Sequence, residues 1–106
     1  MDDAILVLCT APAAGDAAVK LARGLVEGGF AACVNIVPGL RSFYTWKGAV
    51  NDDAEVQLLI KTRRERYPDL ETFIRQNHPY EVPEVIAIPI DRGSEAYLSW
   101  LREQTS

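Results

Sequence analysis

The apolar positions fall into two periodicities. Residues Ala4 to Ala11, read "AILVLCTA", form a continuous apolar run, partly β-branched and closed by Pro12. That is the pattern of a buried strand. Ala18, Leu21, Ala22, Leu25 and Val26 then recur at helical spacing, with Lys20, Arg23 and Glu27 opposite and Gly28-Gly29 as the stop. A helix covering a core is predicted. "AACVNIV" returns to strand character and resumes after Pro38-Gly39 in "RSFYTW", so the second strand is long, with a bend or bulge in its middle. Gly48 and Asn51-Asp52-Asp53 are expected to carry the turn into "AEVQLLIKT", where Val56, Leu58 and Ile60 alternate with Glu55, Gln57 and Lys61.

A second helix is predicted from about Glu65 to Gln76, with Tyr67, Leu70, Phe73 and Ile74 inward and its regular part starting near Pro68. The stiff connection "QNHPYEVPEV" leads into a fourth strand, "EVIAIPI", whose Pro89 lacks a donor and favours a sheet edge. Ser94 is placed to cap a last helix carrying Tyr97, Leu98 and Leu101 inward, with Trp100 beside them. The order strand, helix, strand, strand, helix, strand, helix is an α+β, ferredoxin-like βαββαβ arrangement with a C-terminal helix. Right-handed crossovers put the first strand between the third and fourth, leaving the second and fourth at the edges.

The strands carry a further implication. An antiparallel sheet with helices on one face alternates apolar with polar residues when its other face is wet. Here the first strand is apolar on both faces, Ile5, Val7 and Cys9 against Leu6 and Leu8, and so is the fourth. Another copy of the chain is the simplest cover, so a homo-oligomer is expected, with the hairpin bearing Phe43, Tyr44 and Trp46 as an arm towards a neighbour or packed on its own domain.

Composition narrows the partners. The 106 residues are 48% hydrophobic and 25% charged, fitting a single domain over 1–106 without repeats or linkers. A net charge of -4 and the absence of a basic stripe argue against nucleic acid. "KTRRER" reads as a solvated surface. No run is long enough for a membrane span, and aspartates rather than basic residues precede the N-terminal apolar run, so a cytoplasmic protein with reduced thiols is expected.

The motifs "LVLCTAP", "AACVNIVPG", "YTWKG", "EVQLLIKT", "HPYEVPEV" and "YLSWL", taken together and in order, resemble the CutA family of divalent-cation tolerance proteins over nearly the whole chain. The resemblance implies a ferredoxin-like subunit in a homotrimer, similar in plan to PII-type signalling proteins. It also implies a link to divalent metals, and a copper site built from the cysteine of "LCTAP" and a histidine pair before "PY". The matching positions are Cys9 and His78, and Asn77 stands where the first histidine of that pair is found.

The topology carries Cys9 and His78 towards one rim, since the end of the first strand lies beside the start of the fourth. Cys33 opens the second strand towards the other end, which argues against a Cys9–Cys33 disulfide. A thiolate with an imidazole suits copper but makes an incomplete site. The same residues read equally as a small buried Cys9 and a loop His78 stiffened by Pro79.

Three functions follow from these readings. The first is a trimeric metal-binding or metal-responsive protein without catalysis. The second is a PII-like signalling or scaffolding trimer with a small molecule or partner protein in intersubunit clefts. The third is an enzyme using Lys61, Tyr80 and Glu84, joined by Cys33 and Trp46, in such a cleft. Against the third, the chain has no Ser-His-Asp set, no glycine-rich phosphate loop and no closely spaced Cys/His framework.

Overall fold

In the computed structural model, residues 3–106 are described. Met1 and Asp2, at the head of the segment read against an export signal and of the domain expected over 1–106, lie outside the described residues. The elements run β1 (Ala4–Pro12), α1 (Ala17–Glu27), β2 (Cys33–Trp46), β3 (Ala49–Arg63), a single 3₁₀ turn (Arg64–Arg66), α2 (Tyr67–Asn77), β4 (Ile86–Pro89) and α3 (Glu95–Gln104). The sheet order is β2-β3-β1-β4, antiparallel throughout, as crossover handedness predicts. No helix among the described residues is long and apolar enough to cross a membrane.

Side-chain alternation assigns the faces. Val7, Cys9, Leu58 and Ile60 are fully buried against Leu21 and Leu25 of α1 and Leu70 and Ile74 of α2, forming the main core. α1 ends where Gly29 takes a positive φ of 73°, and the amides of Phe30 and Ala31 return to the Leu25 carbonyl. The tight reversal feeds the chain straight into β2.

The second face is only partly bare. Leu98 and Leu101 of α3 pack with Ala4, Ala32 and Ile90, so the C-terminal helix covers the end of this face nearest Ala4. Arg63 fastens it: Nε donates to Thr105 Oγ1 at 2.9 Å and Nη2 to the Thr105 carbonyl at 2.6 Å. Ser94 caps α3 as predicted, accepting the Tyr97 amide. Tyr97 and Trp100, however, stack on each other at the surface while Leu98 and Leu101 alone point inward. Beyond α3, Leu8 and Leu59 are half-buried and their neighbours Ile86 and Ile88 are 52% and 46% exposed, so an apolar strip remains uncovered.

Two boundaries differ from the sequence expectation. The hairpin turn is the two residues Lys47-Gly48, with φ of 51° and 79°, and Asn51-Asp52-Asp53 belong to β3. Two consecutive positive φ angles match the hand of turn that twisted strands accept. The aspartates stay in the strand because cross-strand donors hold them: Arg41 grips Asp52 with two hydrogen bonds, at 3.0 and 2.9 Å, and the Tyr44 hydroxyl donates to Asp53. β4 is also shorter than "EVIAIPI", pairing with β1 only from Leu8↔Ile86 to Ile5↔Pro89. The expected irregularity in β2 falls between Val37 and Leu40, where Pro38-Gly39 leave the ladder.

Candidate functional site

α2 stops at His78 because Pro79 pushes the residue before it to extended backbone, here φ −84° and ψ 140°. The imidazole is then drawn inward and is buried. Its Nδ1 accepts the Tyr80 amide at 3.0 Å, which leaves the ring proton on Nε2, and Nε2 donates to the Thr10 carbonyl at 2.7 Å. Thr10 lies two residues past the last β1–β4 pair, so the ring supplies the donor that β4 is too short to provide. Asn77 turns back instead, donating to the Phe73 carbonyl at 2.8 Å.

Cys9 lies next to Thr10, and its Sγ is 3.6 Å from the same carbonyl. The rim predicted to unite Cys9 and His78 therefore exists, with the Thr10 carbonyl between them. Cys9 is fully buried on the helix-facing side. Burial pushes its thiol up to about 12, and the negative charges of Glu84 and Glu55 push in the same direction.

This arrangement does not fit a copper ion. Both ring nitrogens of His78 are occupied by backbone partners, and the thiol is held in its neutral form, whereas a metal takes the thiolate. Among the described residues no three His, Cys, Asp or Glu side chains converge as a ligand set.

The same loop builds one wall of a cleft of about 510 Å³ on the second face of the sheet, at the end away from α3. The other wall is the projecting half of the β2–β3 hairpin. Tyr80 reaches across to donate to Glu55 Oε2 at 2.7 Å, and Glu55 is only 4% exposed. Burial first, then the hydrogen bond and charge of Glu55, raise the Tyr80 phenol well above its usual 10.0. Tyr44 is raised chiefly by its hydrogen bond to Asp53. A phenol shifted this way is removed from acid–base exchange near neutrality.

Of the residues expected together, Trp46, Tyr80 and Glu84 line this cleft; Cys33 and Lys61 do not. Lys61 sits six residues along β3 from Glu55, about 20 Å away at strand spacing, paired with Cys33 and donating to Asn35 Oδ1. Within one chain the residues expected in an intersubunit cleft form two groups, because β2 and β3 are long enough to separate their ends. Glu55, Phe43 and Tyr44 complete the cleft and had not been assigned to it.

A family model for the CutA1 divalent ion tolerance protein matches residues 5–104. The chain belongs to the CutA1 divalent ion tolerance family. It is 49% identical to the divalent-cation tolerance protein CutA of Thermus thermophilus, covering 94% of this chain and 96% of that one. It is 48% identical to the chloroplastic CutA protein of Arabidopsis thaliana over 95% of this chain, and spans 55% of that relative's length. Against human protein CutA it is 48% identical and spans 49% of that length. Solved CutA1 structures agree with the fold. The T. thermophilus protein superposes with a TM-score of 0.92 at 48% identity, covering 97% of this chain and 99% of that one. CutA1 from Oryza sativa gives 0.93 at 45% identity, with 99% and 95% covered.

Proposed function

We propose that this CutA1-family chain is a small cytoplasmic homotrimer that serves divalent-cation tolerance by metal binding or metal response, copper included, without catalysis. Membership of the family across 5–104 carries the reading. Assembly is supported by the uncovered strip of Leu8, Leu59, Ile86 and Ile88, an apolar surface that a second copy would remove from water. The absence of catalysis is supported by phenols displaced from the working range. Because Cys9 and His78 are both engaged, copper binding at that rim requires the loop from His78 to release Thr10 and Tyr80.

Two measurements test this. Light scattering is expected to give a mass near 35 kDa, three copies of the 11.7 kDa chain, and Ile88→Asp to lower it; a wild-type mass of one chain refutes the assembly. Anaerobic Cu(I) titration of the wild-type oligomer beside Cys9→Ser and His78→Ala reads stoichiometry per chain. Unchanged copper affinity in both variants removes that rim from the metal reading.

A second reading is a PII-like signalling or scaffolding trimer that binds a small molecule or partner protein between subunits. The cleft of about 510 Å³, within the size range of small-ligand sites, favours it. A thermal-shift screen of metals against nucleotides and metabolites separates the two readings.

A further inference from the structure

The lining of the cleft is lopsided in charge. Glu55, Glu81 and Glu84 contribute carboxylates and no lysine or arginine lines it. Among the described residues none of the three forms an ion pair. Glu55 is the decisive one. It is more than nine-tenths buried, and the Tyr80 hydroxyl donates to its Oε2. Carboxylates gathered in one cleft without a basic neighbour attract a cation that enters it.

The rest of the lining selects which cation. Tyr44, Trp46 and Tyr80 present three aromatic rings on the face that carries Glu55, whereas the Phe43 ring alternates to the opposite face beside Arg41. Ring faces attract cations, and one of these rings already does so: Lys47 Nζ lies 5.8 Å from the Trp46 centroid. Neither that cation nor Arg41 is available to Glu55, since Lys47 sits in the turn and Arg41 is bound to Asp52 on the opposite face. A hard divalent ion wants six or more oxygen ligands, and no three candidate side chains converge here. An ammonium group on a carbon body needs only one or two carboxylates and a set of ring faces. Burial chiefly raises the Tyr80 phenol and the hydrogen bond to Asp53 chiefly raises that of Tyr44, with the neighbouring carboxylate charges pushing both the same way.

We infer that the cleft binds a small organic cation, an ammonium or quaternary ammonium group on a compact apolar body, seated between Glu55 and the rings of Tyr44, Trp46 and Tyr80. The inference rests on the second reading above, that a small molecule occupies this cleft, and supplies its chemical class.

Isothermal titration calorimetry on the assembled protein at low salt tests it with three probes: choline, its uncharged isostere 3,3-dimethylbutan-1-ol, and magnesium chloride. Choline is expected to saturate, with the isostere about tenfold weaker and choline about tenfold weaker on Glu55→Gln or Trp46→Leu. If Glu55→Gln fails to assemble, Tyr80→Phe and Glu81→Gln take its place with the same expectation. Equal binding of choline and the isostere overturns the cationic class while leaving a small-molecule cleft in place. Magnesium binding as tightly as choline, with no effect of Trp46→Leu, overturns it in favour of a general acidic field. No choline binding by an intact oligomer overturns it outright, and the second reading falls with it only if the wider metabolite screen also leaves Tm unmoved.

Discussion

Replacing His78 by alanine decides whether the imidazole is a structural latch or a metal ligand in waiting. The ring makes two hydrogen bonds to backbone from a buried position, 2.7 Å to the Thr10 carbonyl and 3.0 Å from the Tyr80 amide. Each such bond contributes about 1 kcal/mol net, and each partner left unsatisfied in a dry place costs about 1–3 kcal/mol. Thr10 retains the weak thiol of Cys9, so the loss on His78→Ala is expected at about 2–4 kcal/mol. Asparagine separates the two bonds. Its Oδ1 falls near the position of Nδ1 and keeps the Tyr80 amide, but its short side chain abandons Thr10, so His78→Asn is expected to lose about half as much. Urea unfolding at one fixed protomer concentration measures the totals, because assembly makes stability depend on concentration. Hydrogen exchange at the Tyr80 amide reads the local bond, which only the alanine variant should lose. The reasoning is refuted if His78→Ala unfolds within about 0.5 kcal/mol of wild type and Tyr80 stays protected.

Other expectations follow from the same coordinates. In a Cys33→Ser background the Cys9 thiol is expected to ignore an aromatic disulfide reagent until the protein unfolds; rapid reaction in the native state would contradict its burial. Stability is expected to fall as pH rises from the ordinary thiol value of 9.0 towards about 12, because the unfolded chain releases the Cys9 proton that the folded chain retains, and Tyr80 adds to the loss above its usual 10.0. Urea midpoints that stay flat through that window would contradict both assignments. Lys47→Asn, at a φ of 51° where asparagine is at ease, is expected to raise stability by a few tenths to about 1 kcal/mol, and a loss would show that the Lys47–Trp46 contact matters more than the turn.

The strand order was legible because the apolar periods and crossover handedness leave one arrangement, and the bulge at Pro38-Gly39 announced itself through residue types that leave a ladder. The hairpin turn was not. Asn51-Asp52-Asp53 look like turn residues, and only cross-strand partners ten or so positions away, Arg41 and Tyr44, keep them extended. Glu55 misled in the opposite sense. It occupies the polar phase of an alternating strand, yet the loop after α2 folds over it. That burial depends on where Tyr80 lands, a property of long-range geometry that alternation does not encode. Cys9 and His78 were placed at one rim by topology alone; what the sequence could not carry is that a backbone carbonyl sits between them.

The division of labour along the second face follows from these placements. α3 covers one end, the strip around Leu8 and Ile88 offers the middle to another copy, and the far end stays polar because the hairpin outruns β1 and β4. Of the side chains with the most obvious metal chemistry, Cys9 is buried in the core and His78 holds the loop in place, and the loop in turn seals Glu55. What faces the open space is therefore acid and ring rather than thiol and imidazole. An acid field draws any cation, but ring faces add nothing for a strongly hydrated divalent ion that keeps its water shell. They add most for a cation whose charge is spread over carbon. The shape of the lining, more than its charge, sets the choice between the two.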